Sequence, residues 1–424
     1  MKPLPHLALI TLLGLGPVAG QADSAKQAAA LEARLKESAE ASPTAAKFML
    51  DLLELYAKDE QVFGLIRTAG KFSRAQPEHP KRPEVIVRLI EAYAVSARHD
   101  DVIATGRQFL EKYPKHQLAN AARGRLADSL ERTGRTLPAA EQRDAIWRNG
   151  GPASEGVRAL KLYRTANNAQ ASQKATALAK AMVEELPANA LLAEVGLDGL
   201  DFAGRAEQWA DGLAIAKSLE QRKAPLTTST RREVARKVGQ YQSRLGQHGN
   251  AAGSFRKALV AGRDDVHREL IQALEAAKSP PATIEKEARA YLAAYPKRED
   301  RYEPLGRAAH AYAAAKNLAK ARALALEVLA HDVEHHDLPR SFVNWCGEDH
   351  AAAERGLLGV LAKNAAGAPT LRAVLTLDLY RDRLKDSTKS RRMAQEFLSK
   401  SPANSSTSGS VVGHLLESAP SEDA

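Results

Sequence analysis

Four histidines lie between residues 331 and 350, and their spacing could hold a metal ion. They are His331, His335, His336 and His350, with Asp332, Glu334 and Asp337 among them. On a helix, His331 and His335 would lie one turn apart on the same face, which is the arrangement that zinc enzymes use. No glutamate directly follows His331, where a zinc protease carries its general base, and Pro339 ends the pattern. The sequence therefore favours an exposed helix end without metal, and His331 and His335 are the candidate ligands if a metal is bound.

Other patterns that carry catalysis do not fit this sequence. The glycines follow no predicted strand and precede no Lys-Ser or Lys-Thr pair, which argues against a phosphate-binding loop, and there is no Gly-x-Ser-x-Gly elbow. Cys346 is the single cysteine, which excludes an intrachain disulfide and a cysteine-based zinc motif. Beside Trp345, it is more typical of a half-buried structural thiol than of a nucleophile. We therefore predict that the protein is not an enzyme and has no cofactor.

A segment of six residues that ends in proline recurs along the chain. Phe109–Pro114 returns as Tyr291–Pro296 and as Phe397–Pro402, and looser copies end at Pro77 and Pro187. The prolines at 77 and 114 are 37 residues apart, and the later steps are about two or three times that period. A proline ends a helix because it lacks the N–H for the next backbone bond. A fixed period in this range is typical of a solenoid of helix pairs.

The composition agrees with closely packed helices. Hydrophobic residues make up 44% of the 424 residues but aromatic residues only 5%, and no long alternating Val/Ile/Thr run occurs. Residues three and four apart share one face of a helix, so they form apolar stripes. The stripes of one unit are Leu52, Leu53 and Tyr56 on the first helix and Leu65, Ala69 and Phe72 on the second. One helix pair cannot bury both stripes alone, so we expect successive pairs to stack.

The repeated unit resembles the tetratricopeptide repeat (TPR), in which two antiparallel helices carry small residues where they cross and a proline follows the second helix. The best match comprises Val238, Gly239, Gly246, Ala251, Phe255, Ala258 and Leu259, and a second comprises Leu305, Ala308, Ala309, Tyr312, Ala321, Ala325, Val328 and Leu329. The resemblance covers residues 43–402. It implies an all-α fold, an α-solenoid (superhelix) of about nine degenerate TPR-like helix hairpins.

The two ends of the chain differ from the repeat array. Residues 1–20 have the pattern of a signal peptide, with an apolar run that is too short to span a bilayer. Residues 21–42 are expected to form a capping helix or linker, and 331–350 an insert in the array. The serine-rich tail, 403–424, is expected to be disordered, with docking of Val411–Leu416 on the last helix as the alternative. We expect a mature chain without a transmembrane segment, secreted across the inner membrane and periplasmic or associated with the cell envelope.

The resemblance also implies where a partner would bind. In the TPR family, surface positions on the first helix of each unit line a concave face and hold an extended peptide or a partner helix. The matching positions here are Arg236, Gln240, Ser243 and Arg244 in one unit, Glu303 and His310 in another, and Asp128, Glu131 and Arg132 in an earlier one. The paired lysine and asparagine with which some members clamp a C-terminal carboxylate are missing from the matching positions.

The charge of the chain leaves a polyanion-binding alternative open. The 61 basic residues exceed the 51 acidic residues by 10, but the two signs are interspersed, which is typical of a solvated surface. Helix-pair repeats of similar length also bind RNA. The signal-like N-terminus and the lack of a repeated polar pair at fixed positions argue against nucleic acid.

These observations predict a non-catalytic protein–protein interaction scaffold of the periplasm or cell envelope. It would bind a protein or peptide partner along the concave face of a TPR superhelix, and its proline-ended helices resemble those of bacterial cell-envelope members of the family. One alternative is a metal-binding protein or enzyme that uses the insert, and another is a basic helical-repeat polyanion or nucleic-acid binder. The sequence leaves open the partner, the oligomeric state and whether the array is continuous through 153–225.

Overall fold

The computed structural model describes residues 19–364, 368–400 and 410–414. These residues contain no β-strand; those up to residue 400 form twenty-one α-helices, with one π-helical segment before the last, and 410–414 are also helical. The helices are α1 (Ala19–Glu37), α2 (Pro43–Lys58), α3 (Val62–Ala75), α4 (Arg82–Val95), α5 (His99–Lys112), α6 (Ala119–Arg132), α7 (Thr136–Arg148), α8 (Ala153–Ala166), α9 (Ala169–Glu185), α10 (Ala190–Arg205), α11 (Trp209–Gln221), α12 (Thr228–Arg244), α13 (His248–Ala258), α14 (Asp264–Ala276), α15 (Pro281–Ala294), α16 (Glu303–Ala314), α17 (Leu318–Leu329), α18 (Leu338–Cys346), α19 (His350–Lys363), α20 (Pro369–Ala373), π1 (Val374–Arg381) and α21 (Ser387–Lys400).

The chain divides into two compact units, each of which is a stack of helix hairpins. Within the described residues, the first unit comprises 19–211 and 218–224, and the second comprises 212–217 and the residues from 225 onward. In the first unit, each helix from α1 to α10 contacts the next, and in the second the same holds from α12 to α19. Helices two places apart, such as α4 and α6 or α14 and α16, also contact each other. The predicted all-α solenoid of TPR-like hairpins is confirmed, and in the first unit the stack continues through α8, α9 and α10.

The array begins where the sequence predicts it. The Oγ of Ser42 accepts a hydrogen bond from the backbone N–H of Ala45 at 3.1 Å, and Pro43 occupies the first position of α2. A serine cap satisfies one of the free N–H groups at a helix start, and a proline there loses no helical bond. Local sequence chemistry therefore sets the N-terminal end of the first hairpin.

The turn inside each hairpin repeats the same backbone geometry. Glu60, Ala97 and Gly134, each 37 residues from the next, have φ values of 55°, 56° and 74°. The following residue then donates its N–H to a carbonyl five positions back, as from Gln61 to Tyr56 at 2.8 Å. This is the Schellman termination of a helix, which requires a left-handed residue. Turns of the same kind in the second unit have Gly246, Lys278 and Lys316 in the left-handed position.

The turn after the second helix also repeats. The residues just before three of the repeat prolines, Gln76, Tyr113 and Tyr295, have φ between −130° and −125° and ψ between 52° and 61°. The N–H of each donates to the carbonyl of the large residue four positions earlier, namely Phe72, Phe109 and Tyr291. Those three side chains are at most 1% exposed. The structure thus confirms that the bulky residue five positions before the proline packs inside the stack.

Small residues bring the two helices of a hairpin close together. A Cβ placed on Gly239 of α12 would lie 2.8 Å from the ring of Phe255 on α13. Phe255 is buried, and so are Ala251 and Ala252 on the same helix. The phenyl ring therefore lies directly on the backbone of α12, as the match to the TPR pattern predicts. Tyr312, by contrast, is half-buried, because its hydroxyl donates to Glu285 at 2.9 Å.

The structure revises two of the segments predicted outside the regular array. Residues 331–350, predicted as an insert, contain α18, which contacts α17 and α19 as a member of the stack. In the tail, 410–414 are helical rather than disordered, and Val411 is fully buried with Ala373 and Phe397. The side chain of Val411 therefore packs on the last helix of the array, and Leu415 and Leu416 lie outside the described residues. Residues 21–37 of the predicted capping segment lie within α1 and 38–42 form the turn into α2, and the predicted signal peptide lies almost wholly outside the described residues.

The repeated left-handed turn makes a stability prediction at Ala97. A side chain in this conformation costs roughly 1–2 kcal/mol that glycine avoids, so we expect Ala97→Gly to stabilise the first unit and Gly134→Ala to destabilise it, each by about 1 kcal/mol. The urea midpoint, followed by far-UV circular dichroism, measures both changes. Ala94→Gly, three residues earlier and inside α4, is the matched control and should lower the midpoint. A lower midpoint for Ala97→Gly would contradict the turn geometry.

Candidate functional site

The predicted partner-binding residues of the first unit lie beside a buried arginine. Asp128 and Glu131 of α6 both contact Arg143 of α7, whose side chain is only 4% exposed. Arg143 also donates to Glu155 of α8 at 2.9 Å, and Arg158 of α8 reaches Asp128 at 3.2 Å and Glu131 at 2.9 Å. We refer to these five residues as the α6–α8 ion cluster. It joins three consecutive helices, whereas the third predicted residue, Arg132, is exposed.

In the second unit, the predicted residues Arg236 and Gln240 of α12 contact one carboxylate of α14. Arg236 donates two hydrogen bonds to Glu269, at 2.9 and 3.1 Å, and Gln240 donates a third at 2.8 Å. Arg236 also lies 2.9 Å from Asp265. Hydrogen bonding to Glu269 raises the pKa of Arg236. A hydrogen bond from Arg263 lowers the pKa of Asp265, so this carboxylate stays charged well into the acid range.

A cavity of about 230 Å³ lies between α12 and the turn that joins α13 to α14. It is lined by Ser229, Arg232, Glu233, Arg236, Ala258, Val260, Arg263 and Val266. Two of its arginines, Arg236 and Arg263, are held by Asp265. Arg232 is exposed and makes no ion pair with any residue that the structure describes. We call this the α12 cavity. Its guanidinium groups and valine side chains could hold a carboxylate that has a small apolar group beside it.

The remaining predicted partner-binding residues lie on α12 and α16. Ser243 is half-buried and Arg244 is exposed at the end of α12. Glu303 forms an ion pair with Arg307, one turn further along α16, at 2.8 Å. His310 is half-buried, and its Nε2 lies 3.0 Å from a carboxylate oxygen of Asp337. The predicted set therefore lies on three helices, α6, α12 and α16, and most of its members contact a neighbouring charged side chain.

His331 and His335, the candidate ligands from the sequence, do not share a helix face in the structure. Residues 331–337 form the connection between α17 and α18 rather than a helix, so the one-turn spacing does not apply. His331 stacks on Tyr302, with ring centroids 4.5 Å apart. His335 is buried, and its burial lowers its pKa, so the neutral imidazole predominates at neutral pH. His350 begins α19 and lies 3.7 Å from Glu348.

His335 instead meets a different pair of residues. The ligand atoms of His335, His336 and Asp337 lie within 4.8 Å of one another. The rings of the two histidines are stacked, with centroids 5.0 Å apart. Sequence spacing could not identify this group, because its geometry depends on an irregular connection. The one local signal was the direct succession of two histidines and an aspartate.

Arg143 is the important charged residue that the sequence-based search missed. It lies on the buried stripe of α7 with Ala139, Ala140, Ile146 and Trp147. An arginine at a core position of an otherwise apolar stripe is unusual, because a buried charge needs a partner. That position was the available signal, although the identity of its partners on α6 and α8 required the structure.

Comparison with known proteins gives weak similarities only. No protein-family model matches the chain, and no curated protein matches it. The structure of Naa15/Naa10 bound to HypK-THB is 13% identical to this chain, with a TM-score of 0.38. The match covers 88% of this chain and 55% of that chain. A tetratricopeptide repeat protein from Parabacteroides merdae is 13% identical, with a TM-score of 0.28, and covers 60% of this chain and 94% of its own.

A third similar structure is the C-terminal part of a TPR repeat-containing protein from Cytophaga hutchinsonii. It is 12% identical, with a TM-score of 0.30, over 78% of this chain and 99% of that chain. The fold assignment therefore depends on the repeated turns and stacked hairpins of this chain. Among the described residues, no helix combines the length and the hydropathy that crossing a membrane requires.

The α6–α8 ion cluster allows a matched test of burial. Arg143 and Arg158 contact the same two carboxylates, but their side chains are 4% and 46% exposed. Removing a buried partner leaves uncompensated charge, so Arg143→Met should destabilise the first unit by about 3 kcal/mol. Arg158→Met should cost less than about 1 kcal/mol, because exposed ion pairs contribute little. The urea midpoints of the two variants measure both losses of stability. Equal losses of stability would show that the cluster is not a buried ionic contact.

Proposed function

We propose that this protein is a non-catalytic scaffold that binds a protein partner at the α12 cavity. The observation that carries the proposal is the cavity itself, which combines an exposed arginine with an apolar wall next to the first helix of a hairpin. Arg236, one of its lining residues, is also a position that the TPR pattern assigns to partner contact. Stacked helix hairpins provide extended surfaces of this kind.

The charges around the α12 cavity support an acidic partner. Arg236 and Arg263 are fixed by their carboxylate partners, so they form a rigid polar wall. Arg232 is the lining arginine without a carboxylate partner among the described residues. A partner carboxylate could therefore form a bidentate pair with Arg232 without breaking an internal contact.

The apolar side of the cavity favours the binding of a segment of a partner protein over that of a free ion. Val260 and Val266 line it together with Ala258. A small apolar side chain next to the acidic one would cover these residues and exclude water from the ion pair. We therefore propose an Asp- or Glu-containing segment with a small aliphatic neighbour as the bound element.

We further propose that the scaffold works outside the cytoplasm, in the periplasm or at the cell envelope. The support for this location is the signal-like pattern of residues 1–20 and the resemblance of the proline-ended helices to those of cell-envelope TPR proteins. A fusion of residues 1–40 to alkaline phosphatase, which is active only after export, tests the location. An inactive fusion would contradict it.

Charge reversal at Arg232 tests the partner site. We expect the Arg232→Glu variant to lose capture of the specific partner by at least about tenfold, because like charges at an interface cost several kcal/mol. The measurement is quantitative mass spectrometry of proteins that are crosslinked to the tagged full chain in its native host.

Arg231→Glu is the matched control, because Arg231 is exposed on the same helix but does not line the cavity. This variant should capture the partner as the unaltered chain does. If no protein is enriched, or if the two variants lose the same protein equally, the α12 cavity is not the binding site.

A further inference from the structure

Four polar side chains of the second unit meet in a small space between α16 and the start of α18. They are His310 of α16 and, from the connection that leads into α18, His335, His336 and Asp337. His335 Nδ1 lies 3.0 Å from Oδ1 of Asp337, and His336 Nε2 lies 3.8 Å from the same oxygen. His310 Nε2 lies 3.0 Å from the other oxygen, Oδ2. Three imidazoles therefore surround one carboxylate.

These close approaches are not hydrogen bonds. Nδ1 and Nε2 of His335, Oδ1 of Asp337 and Nε2 of His310 are all buried and have no hydrogen-bond partner among the described residues. His335 as a whole is only 7% exposed. Buried polar atoms are nearly always paired, because an unpaired one costs its full desolvation free energy. Two of these atoms, Nδ1 of His335 and Oδ1 of Asp337, lie 3.0 Å apart without a hydrogen bond, so one bound cation could satisfy both.

Asp337 also does not cap the helix that it precedes. It directly precedes α18, where an aspartate normally accepts a hydrogen bond from a backbone N–H of the first turn. Its side chain makes no such bond. The carboxylate is turned toward the histidines instead.

The fold also makes room for the buried ring. A Cβ on Gly306 of α16 would lie 2.8 Å from Nε2 of His335, so the imidazole fits only against a residue without a side chain. His336, in contrast, is 82% exposed at its side chain. One ligand is thus fixed in the interior, and another lies at the surface, where an ion can enter from solvent.

We propose that His335, His336 and Asp337 bind a divalent transition-metal ion, of which Zn²⁺ is the representative, with His310 beside the second oxygen of Asp337. Ligand atoms around a tetrahedral zinc ion lie about 3.3 Å apart when the metal–ligand distance is ~2.0 Å. The separations of 3.0 and 3.8 Å from Asp337 Oδ1 bracket that value. Imidazole and carboxylate donors favour Zn²⁺ over Mg²⁺, which prefers oxygen ligands alone.

The bound ion would hold the connection between α17 and α18 in one conformation. Its ligands all come from residues 335–337, and their support comes from α16 through His310. Metal binding to the folded state alone stabilises that state. The ion would therefore stabilise the folded connection, and it does not depend on the partner site at the α12 cavity.

Zinc titration of the full chain tests the proposal. After treatment with EDTA and removal of the chelator, the protein should take up one zinc ion per chain in competition with a chromophoric chelator, and its melting temperature should rise with zinc concentration but not with Mg²⁺. His336→Gln should weaken zinc binding by more than about tenfold, since even residues that only support a ligand contribute that much. Because His336 is exposed, this substitution should leave the protein folded, so misfolding would not explain a loss of zinc binding.

His331→Gln is the matched control, because His331 belongs to the same connection but stacks on Tyr302. This variant should bind zinc as tightly as the unaltered chain, and so should Arg232→Glu, which affects only the proposed partner site. Asp337→Asn should abolish the zinc-dependent rise in melting temperature. Binding of much less than one zinc ion per chain would overturn the proposal, and so would equal losses in His331→Gln and His336→Gln.

Discussion

The close approach of two helices inside each hairpin is the contact on which the rest of the structure depends. In the hairpin of α12 and α13, the ring of Phe255 lies against the backbone at Gly239, and in that of α8 and α9 the side chain of Met182 lies in the same way against Gly156. A large side chain can contact a backbone only where the facing residue has no Cβ. Because the helices are so close, the apolar stripes of each hairpin face outward and are buried by the next hairpin.

Charged side chains reinforce this stacking from one hairpin to the next. Arg88 of α4 lies 2.8 Å from Glu54 of α2, and Arg125 of α6 repeats the contact with Glu91 of α4 at 3.9 Å. The two pairs are displaced by 37 residues, like the turns and the prolines. Much of the positive charge is therefore distributed between helices and balanced locally, which gives little support to a continuous polyanion-binding face.

The sequence predicted the fold because the fold depends on local and periodic features. Some features act within a single hairpin, namely Pro114, the buried Phe109 and the small residues at helix crossings. Equivalent residues recur along the chain with a period of 37 residues. The charged contacts could not be predicted in this way, since Arg143 finds its partners on two other helices. The arrangement of the histidines could not be predicted either, because the end of α17 at Leu329 decides which of them lie together, and helix ends are poorly specified by periodicity.

A pair of glycine substitutions tests the central contact most directly. Gly239 faces the ring of Phe255, whereas Gly253, on α13 of the same hairpin, is exposed, and an added Cβ there would meet nothing within 4 Å. Urea unfolding of the full chain should show that Gly239→Ala destabilises the second unit by about 1–3 kcal/mol through overpacking. Gly253→Ala should stabilise it by about 0.5–1 kcal/mol, because alanine is the better helix former. If Gly239→Ala were instead as stabilising as Gly253→Ala, the helices would not be in the close contact on which this account depends.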